Sequence, residues 1–293
     1  MYELNRVGGS TYYINSPTNI GLYKTDEENV CLIDSGNDKD AGKKALKLIE
    51  AGGWRLKTVI NTHSHADHIG GNAFLQSRTG CEILVPGEDS CYTNYPSLEP
   101  AFLFGAFPYK EIENKFFKAA PSRAYRLEDC VLPEGLRTER FDGHSYAQAA
   151  VGTPDGVWFL GDTLVSAETL EKYRISYVYD VREYLESLKR VKSLEGRLFI
   201  PSHAAPQEDI SPLADANIRN TLEVAEKIRD ILKSAKTAEE TAAAVFEEYG
   251  LRINHVQHTL VSCTVRSYVS YLYNLGEVGC DFCGNKLYWQ ARA

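Results

Sequence analysis

The chain has 293 residues, above the usual single-domain size, and its 43% hydrophobic content suffices for a sizeable core. A formal charge of −8 makes a polyanionic partner electrostatically unattractive, so nucleic acid is disfavoured. The odd number of cysteines, scattered at 31, 81, 91, 130, 263, 280 and 283, and the lack of a basic start or long apolar run in residues 1–6 argue against a disulfide framework, a signal peptide and a membrane span; a cytoplasmic location is expected.

In chain order, residues 11–15 and 30–33 read as strands, with 19–22 as a third between them. From Asp38 a helical pattern takes over, Ala41, Ala45, Leu48 and Ile49 sharing a face until Gly52-Gly53 stops it. Residues 57–60 form a strand that delivers Thr62-His63-Ser64-His65-Ala66-Asp67-His68; a short helix then ends near Gly80, and residues 82–85 return to strand. This alternation is what an α/β layered fold requires.

The segment from about 86 to 126 breaks the pattern. It concentrates Tyr92, Tyr95, Phe102, Phe104, Phe107, Tyr109, Phe116 and Phe117. Long aromatic insertions commonly act as lids or line small-molecule pockets, so Tyr92, Tyr95, Phe104 and Phe107 are candidate substrate contacts. A satellite core or a homodimer contact is the other use of such a segment.

Beyond residue 210 the character changes. Ser211-Pro212 reads as a helix N-cap followed by proline, and Ile218, Leu222, Ala225, Ile228 and Leu232 form a stripe. Thr237-Ala238-Glu239-Glu240 offers a capping box for a second helix. A third helix spans about 256–275, and residues 278–289 form a hairpin around Cys280–Gly284. The division expected is a catalytic unit, 1–210, and a mostly helical, winged-helix-like accessory unit, 211–293. Cys280 and Cys283 have the spacing of a half zinc ribbon or a redox pair but no second pair nearby, which favours a plain hairpin; His255 and His258, one turn apart, are read as structural, with a reach to the substrate as the alternative.

The histidine cluster carries the chemistry. In an extended segment, side chains two apart point the same way, so His63 and His65 can serve one ion while Asp67 and His68 turn toward a second. Imidazole with carboxylate suits zinc, and iron or manganese also fit. Downstream, His144 follows the apolar step at Phe141, Asp162 follows the strand-like Val157-Trp158-Phe159, and His203 ends another short apolar run, where loops on a rigid sheet bring distant residues together. Singly each is weak, since a lone histidine is more often structural and Asp162 could cap a turn. Together they make five histidines and two aspartates, the complement of a two-metal site.

The string His63-x-His65-x-Asp67-His68, followed in order by His144, Asp162 and His203, resembles the metallo-β-lactamase superfamily, its glyoxalase II-like branch most of all, over roughly residues 10–210. The resemblance implies an αββα sandwich in which His63, His65 and His144 hold one metal, Asp67, His68 and His203 hold the other, and Asp162 bridges. It also matches Asp34, in Leu32-Ile33-Asp34-Ser35-Gly36, to an acidic residue that orients a ligating histidine; a turn role before Gly36 is the plainer alternative.

Two divalent ions would generate a bridging hydroxide near neutral pH, with Asp67 and Asp162 steering it and its proton. The reaction class expected is hydrolysis of a small ester, thioester or lactone. Glyoxalase II activity itself is less well supported, because the C-terminal lysine and arginine pattern of glutathione-binding members is not evident. A mononuclear iron persulfide dioxygenase is an alternative, opposed by the complete second site; a metal-dependent phosphodiesterase or nuclease is another, opposed by the acidic balance.

Overall fold

A computed structural model describes residues 2–292; Met1 and Ala293, the outer limits of the two expected units, lie outside the described residues. Strands β1 (Glu3–Arg6), β2 (Thr11–Asn15), β3 (Ile20–Lys24), β4 (Asn29–Ile33), β5 (Arg55–Ile60), β6 (Glu82–Val85) and β7 (Ala124–Arg126) form one sheet in chain order. Its first half is an antiparallel meander, and β4 to β7 run parallel. A second sheet has the order β11-β10-β9-β8, from β8 (Arg137–Arg140), β9 (Ala149–Gly152), β10 (Val157–Gly161) and β11 (Leu198–Pro201), with only β10 and β11 parallel.

The two sheets meet through Cys31, Ile33, Ile60 and Leu84 of the first and Val151, Val157, Phe159 and Ile200 of the second. The opposite face of the first sheet buries Leu22, Val30, Leu32 and Val59 under α1 (Lys39–Ala51) and α3 (Asn72–Thr79). Strands β4 and β10 are buried on both faces and therefore read as continuous apolar runs. The outer face of the second sheet is covered by α7 (Val181–Val191) and α8 (Ser211–Ile231), joined by α9 (Ala238–Glu248) and α10 (His255–Asn274). The layers are helix, sheet, sheet, helix: the αββα arrangement expected.

Local signals act where the sequence put them. The Asp38 carboxylate accepts from the Asp40 and Ala41 amides to start α1, and Thr237 with Glu240 forms a complete capping box on α9. Three elements differ. Ser211 is the first helical residue and not the cap; its amide donates to Asp209 instead. Leu222 leaves the apolar stripe of α8 and is 47% exposed. Helices α6 (Ala167–Tyr173) and α7 occupy a stretch where the sequence reading places no element.

Residues 211–231 share one core with Phe141, Trp158 and Leu185, so apolar packing is continuous across residue 210. After α10, the antiparallel hairpin β12 (Val278–Cys283) and β13 (Lys286–Ala291) closes the described chain, with Cys280 and Cys283 exposed and unbridged. Among the described residues no helix is long and apolar enough to cross a membrane.

Candidate metal centre and active site

The loops at one end of the facing sheets carry the histidines. Strand β5 ends at Ile60, and the extended Thr62–His65 stretch runs into the short helix α2 (Ala66–Ile69), which swings His68 back under the sheet. The connection from β8 to β9 brings His144, the end of β10 brings Asp162, and the end of β11 brings His203. Gly143, at φ +112°, allows the backbone to pass against Tyr184, where a Cβ would collide with main-chain atoms.

Three overlapping groups have ligand atoms mutually within 4.8 Å: His63, His65 and His144; Asp67, His68 and His203; and His63, His68 and Asp162. In the first, Nδ1 of His65 lies 3.0 Å from Nε2 of both His63 and His144. In the second, Nε2 of His203 is 3.0 Å from Asp67 Oδ2, and Nε2 of His68 is 3.5 Å from the same atom. Asp162 reaches both groups, with Oδ1 3.3 Å from His68 Nε2 and Oδ2 3.4 Å from Nε2 of both His144 and His203.

Contacts behind the rings fix which nitrogen faces inward. Nδ1 of His68 is 2.8 Å from Asp34 Oδ2, Nδ1 of His144 is 3.2 Å from the Tyr177 carbonyl, and Nδ1 of His203 is 3.2 Å from the Pro17 carbonyl. Nδ1 of His63 lies 3.1 Å from Thr62 Oγ1. These four rings therefore aim Nε2 at the cluster, each held from behind at Nδ1, as metal-ligating histidines are. His65 is reversed: Nδ1 points inward and Nε2 lies 3.7 Å from Glu99 Oε1. Asp34 sits at φ +64° and also accepts from the Thr62 amide and hydroxyl at 2.8 and 2.9 Å, so it ties β4 to the motif as well as holding His68.

The electrostatics ask for cations. Burial drives His63, His65 and His144 toward the neutral form, His65 to about 3. His68 and His203 go the other way: burial opposes their charge, but Asp67 and Asp162, with Asp34 added for His68, raise His68 well above its ordinary value and His203 to about 10. Burial likewise works against the Asp67 and Asp162 charges, yet these histidines hold both carboxyls below the usual range. The buried His68 Nε2 and Asp162 Oδ1 have no hydrogen-bond partner. Orphaned inward-facing donor atoms, and histidines charged only to balance carboxylates, fit divalent cations that would displace those protons.

A cavity of about 610 Å³ opens beside the cluster, with His65, Asp67, His144, Asp162 and His203 in its wall. The aromatic insertion contributes, but through other residues than those expected. Tyr95 and Phe107 are 67% and 87% exposed, and Phe104 packs edge-on to Tyr109; none of the three lines the cavity. Tyr92, on the short helix α4 (Asp89–Asn94), borders a small adjoining recess with His65 and Glu99. In α5 (Leu98–Phe104) the inward face belongs to Pro100 and Leu103, which turns Phe104 outward. Phe116 and Phe117 reach the cavity itself. His255 contacts the Tyr109 hydroxyl at 3.2 Å and His258 stacks on Phe246; neither enters the cluster.

Glu99, Thr18 and Asp89 were not readable as site residues. The Thr18 hydroxyl donates to Asp67 Oδ2 at 3.2 Å, and buried Asp89 accepts from the amide and hydroxyl of Ser64, inside the motif. Only Thr62, by its place directly before the first histidine, carried a local signal.

The metallo-beta-lactamase superfamily profile matches residues 14–203, and the chain belongs to that superfamily. A hydroxyacylglutathione hydrolase of Methylococcus capsulatus is 51% identical over 44 residues, 15% of this chain and 17% of that protein. One from Erythrobacter litoralis is 41% identical over 67 residues, 23% of this chain and 25% of that protein. The chain thus spans a quarter or less of the length of these curated relatives. A metallo-beta-lactamase family protein from Thermus thermophilus superposes with a TM-score of 0.74 at 22% identity, covering 97% of this chain and 99% of the other, a likeness of fold.

Proposed function

We propose that the protein is a dinuclear metal-dependent hydrolase of a small ester, thioester or lactone, with His63, His65 and His144 holding one ion, Asp67, His68 and His203 the other, and Asp162 spanning both. Zinc is the ion best suited to this donor set. The observation that carries the reading is Asp162, whose two oxygens each lie within 3.4 Å of a histidine, and whose Oδ2 is equidistant from a histidine of each group. The second group also disfavours a mononuclear oxygenase. Similarity to hydroxyacylglutathione hydrolases over short stretches supports thioester chemistry.

Divalent ions held there would acidify water and polarise the acyl oxygen. The chain's own residues do the rest. Asp67, its carboxylate 39% exposed toward the cavity and anchored by Thr18 and His203, is placed to orient the attacking water and accept its proton. Tyr177, Asp34 and Pro17 hold ring orientation from behind. Residues 1–210 form the catalytic unit in this reading, and 211–293 an accessory unit that supplies one wall of the cavity through α10.

Metal analysis tests it. The purified protein should bind two ions per chain, and Asp162→Ala should lose tight binding of both together with hydrolysis. His203→Ala should retain one ion while hydrolysis falls severely. A single tightly held iron with sulfur-oxidising activity would refute the reading.

A further inference from the structure

The metal cluster lies where two unlike depressions meet. On one side, the 610 Å³ cavity falls within the roughly 300–1,000 Å³ of small-molecule pockets and is walled by Phe116, Phe117, Ile175, Val256, Leu260 and Val261. Beyond the cluster residues its acidic and basic lining groups are Glu99 and Lys115, and Lys115 sits at the rim, 67% exposed and 3.5 Å from Asp38. On the other side, a groove of about 520 Å³ shares Pro17, Thr169 and His203 with the cavity and presents Asn15, Ser16, Asn19, Ser166 and Ser202. Apart from His203, its one charged group is Glu168.

A bond cleaved at this junction has its two halves in different surroundings. The apolar side takes a chain; the polar side takes a hydrogen-bonding group that carries no acid. The groove lining has no lysine or arginine, and the cavity's Lys115 stands at the rim beside Asp38. A glutathionyl group, with two carboxylates, would meet Glu168 in that groove. Carrier thiols and alcohols are polar, so the half that fills the apolar side is the acyl chain. We therefore propose, resting on the hydrolase reading above, that the substrate is an ester or thioester joining an uncharged apolar acyl chain to a polar leaving group without acidic substituents. Water's oxygen bonds to the acyl carbon, the C–S or C–O bond breaks, and water's protons go to the departing sulfur or oxygen and to the product carboxyl.

The test uses zinc-loaded protein and N-acetylcysteamine thioesters from acetyl to octanoyl, with S-lactoylglutathione as the charged comparison. Each added methylene should raise kcat/KM roughly fourfold until the cavity is filled. Leu260→Trp, which fills that wall, should lower the octanoyl-to-acetyl ratio at least tenfold. In parallel, calorimetric binding of octanoate and acetate to the wild-type protein reads the cavity without turnover and does not depend on the variant folding. Hydrolysis with a flat or falling length dependence, or fastest turnover of lactoylglutathione, overturns this inference and leaves the hydrolase reading standing. Tight octanoate and weak acetate binding with no thioester or ester hydrolysed overturns the hydrolase reading and supports the apolar site. Failure to bind either acid and to hydrolyse any substrate overturns both.

Discussion

Asp34 offers a sharp separation between what holds a metal ligand and what holds the fold. Its almost wholly buried carboxylate accepts from the Thr62 amide, the Thr62 hydroxyl and His68 Nδ1, all within 2.9 Å, and more distantly from the Asn61 side-chain amide at 3.5 Å. Its backbone is left-handed, at φ +64°. Asparagine tolerates that conformation and keeps an oxygen for the Thr62 amide, but it presents NH2 or a weak acceptor to His68. Loss of a partner behind a ligating histidine typically lowers metal affinity 10- to 100-fold, or roughly 1.4–2.7 kcal/mol. Asp34→Asn should therefore fold at near wild-type stability, within ~1–2 kcal/mol, and lose metal by that margin in a chelator competition. Asp34→Ala should do worse in folding. It strands the buried Thr62 amide, costing ~1–3 kcal/mol, and places alanine in the left-handed region at ~1–2 kcal/mol more. Denaturant titration of the metal-stripped variants, beside chelator competition, reads the two effects separately. Wild-type metal affinity in Asp34→Asn would show that the carboxylate does not orient His68, and equal stability of the two variants would refute the backbone argument.

Gly143→Ala should destabilise the protein by at least ~2 kcal/mol through overpacking against the Tyr184 backbone, and metal analysis should show the neighbouring His144 site weakened; a normal melt with full metal content would contradict this. Burial raises Asp89 from 3.8 to about 6, so the folded state holds its proton more tightly than the unfolded one. Stability from this group is then fully present below pH 3.8 and lost as pH rises toward 6, by on the order of 3 kcal/mol. Denaturation of metal-stripped wild type against Asp89→Asn should show that difference shrinking across the window, and a constant difference would refute it. Phe107→Ala should change relative rates across a substrate panel less than twofold, whereas Phe117→Ala, in the cavity wall, should change them tenfold or more. Equal effects would mean the cavity is not where substrate selectivity is set.

The site was legible in the sequence because its signal is local. Four candidate ligands fall within the six residues from His63 to His68; Asp162 and His203 follow apolar runs that become strands, and His144 follows the single apolar step at Phe141 beyond the polar strand β8. Glu99 had no such signal. It is one acidic residue among aromatics, and only the packing of α5 against Tyr177 and α10 sets it beside His65. The aromatic insertion was visible as a segment, but its inward face was not, since two short helices, a 3₁₀ turn and irregular stretches succeed one another there with no single period from which to read direction. Helix α7 is a different kind of miss. Val181, Tyr184, Leu185, Leu188 and Val191 carry a full helical stripe and Asp180 caps it, so the information was present and lay in the interval between two ligand loops.

The placement of these parts divides chemistry from selectivity. The candidate ligands lie on loops or a short helix that follow strands, so the sheets, whose facing sides are packed through Ile33, Ile60, Val151 and Phe159, set most of their placement, with Tyr177, Tyr179 and Asp180 also holding the Gly143-His144 segment. Ile175 and Val261 of the cavity wall belong to the core under the second sheet, but the rest of the apolar wall is built otherwise. Leu103, Ile112 and Phe117 of the insertion pack on Val256, Leu260 and Cys263 of α10, two segments far apart in the chain, and this small cluster is separate from the cores beneath the sheets. A change at Leu260 or Phe117 can therefore reshape the cavity while the sheet ends that aim His63, His65 and His68 stay in place. The same independence predicts that metal affinity and acyl-chain preference respond to different sets of substitutions, which is the separation the Asp34 and Leu260 variants measure from opposite sides.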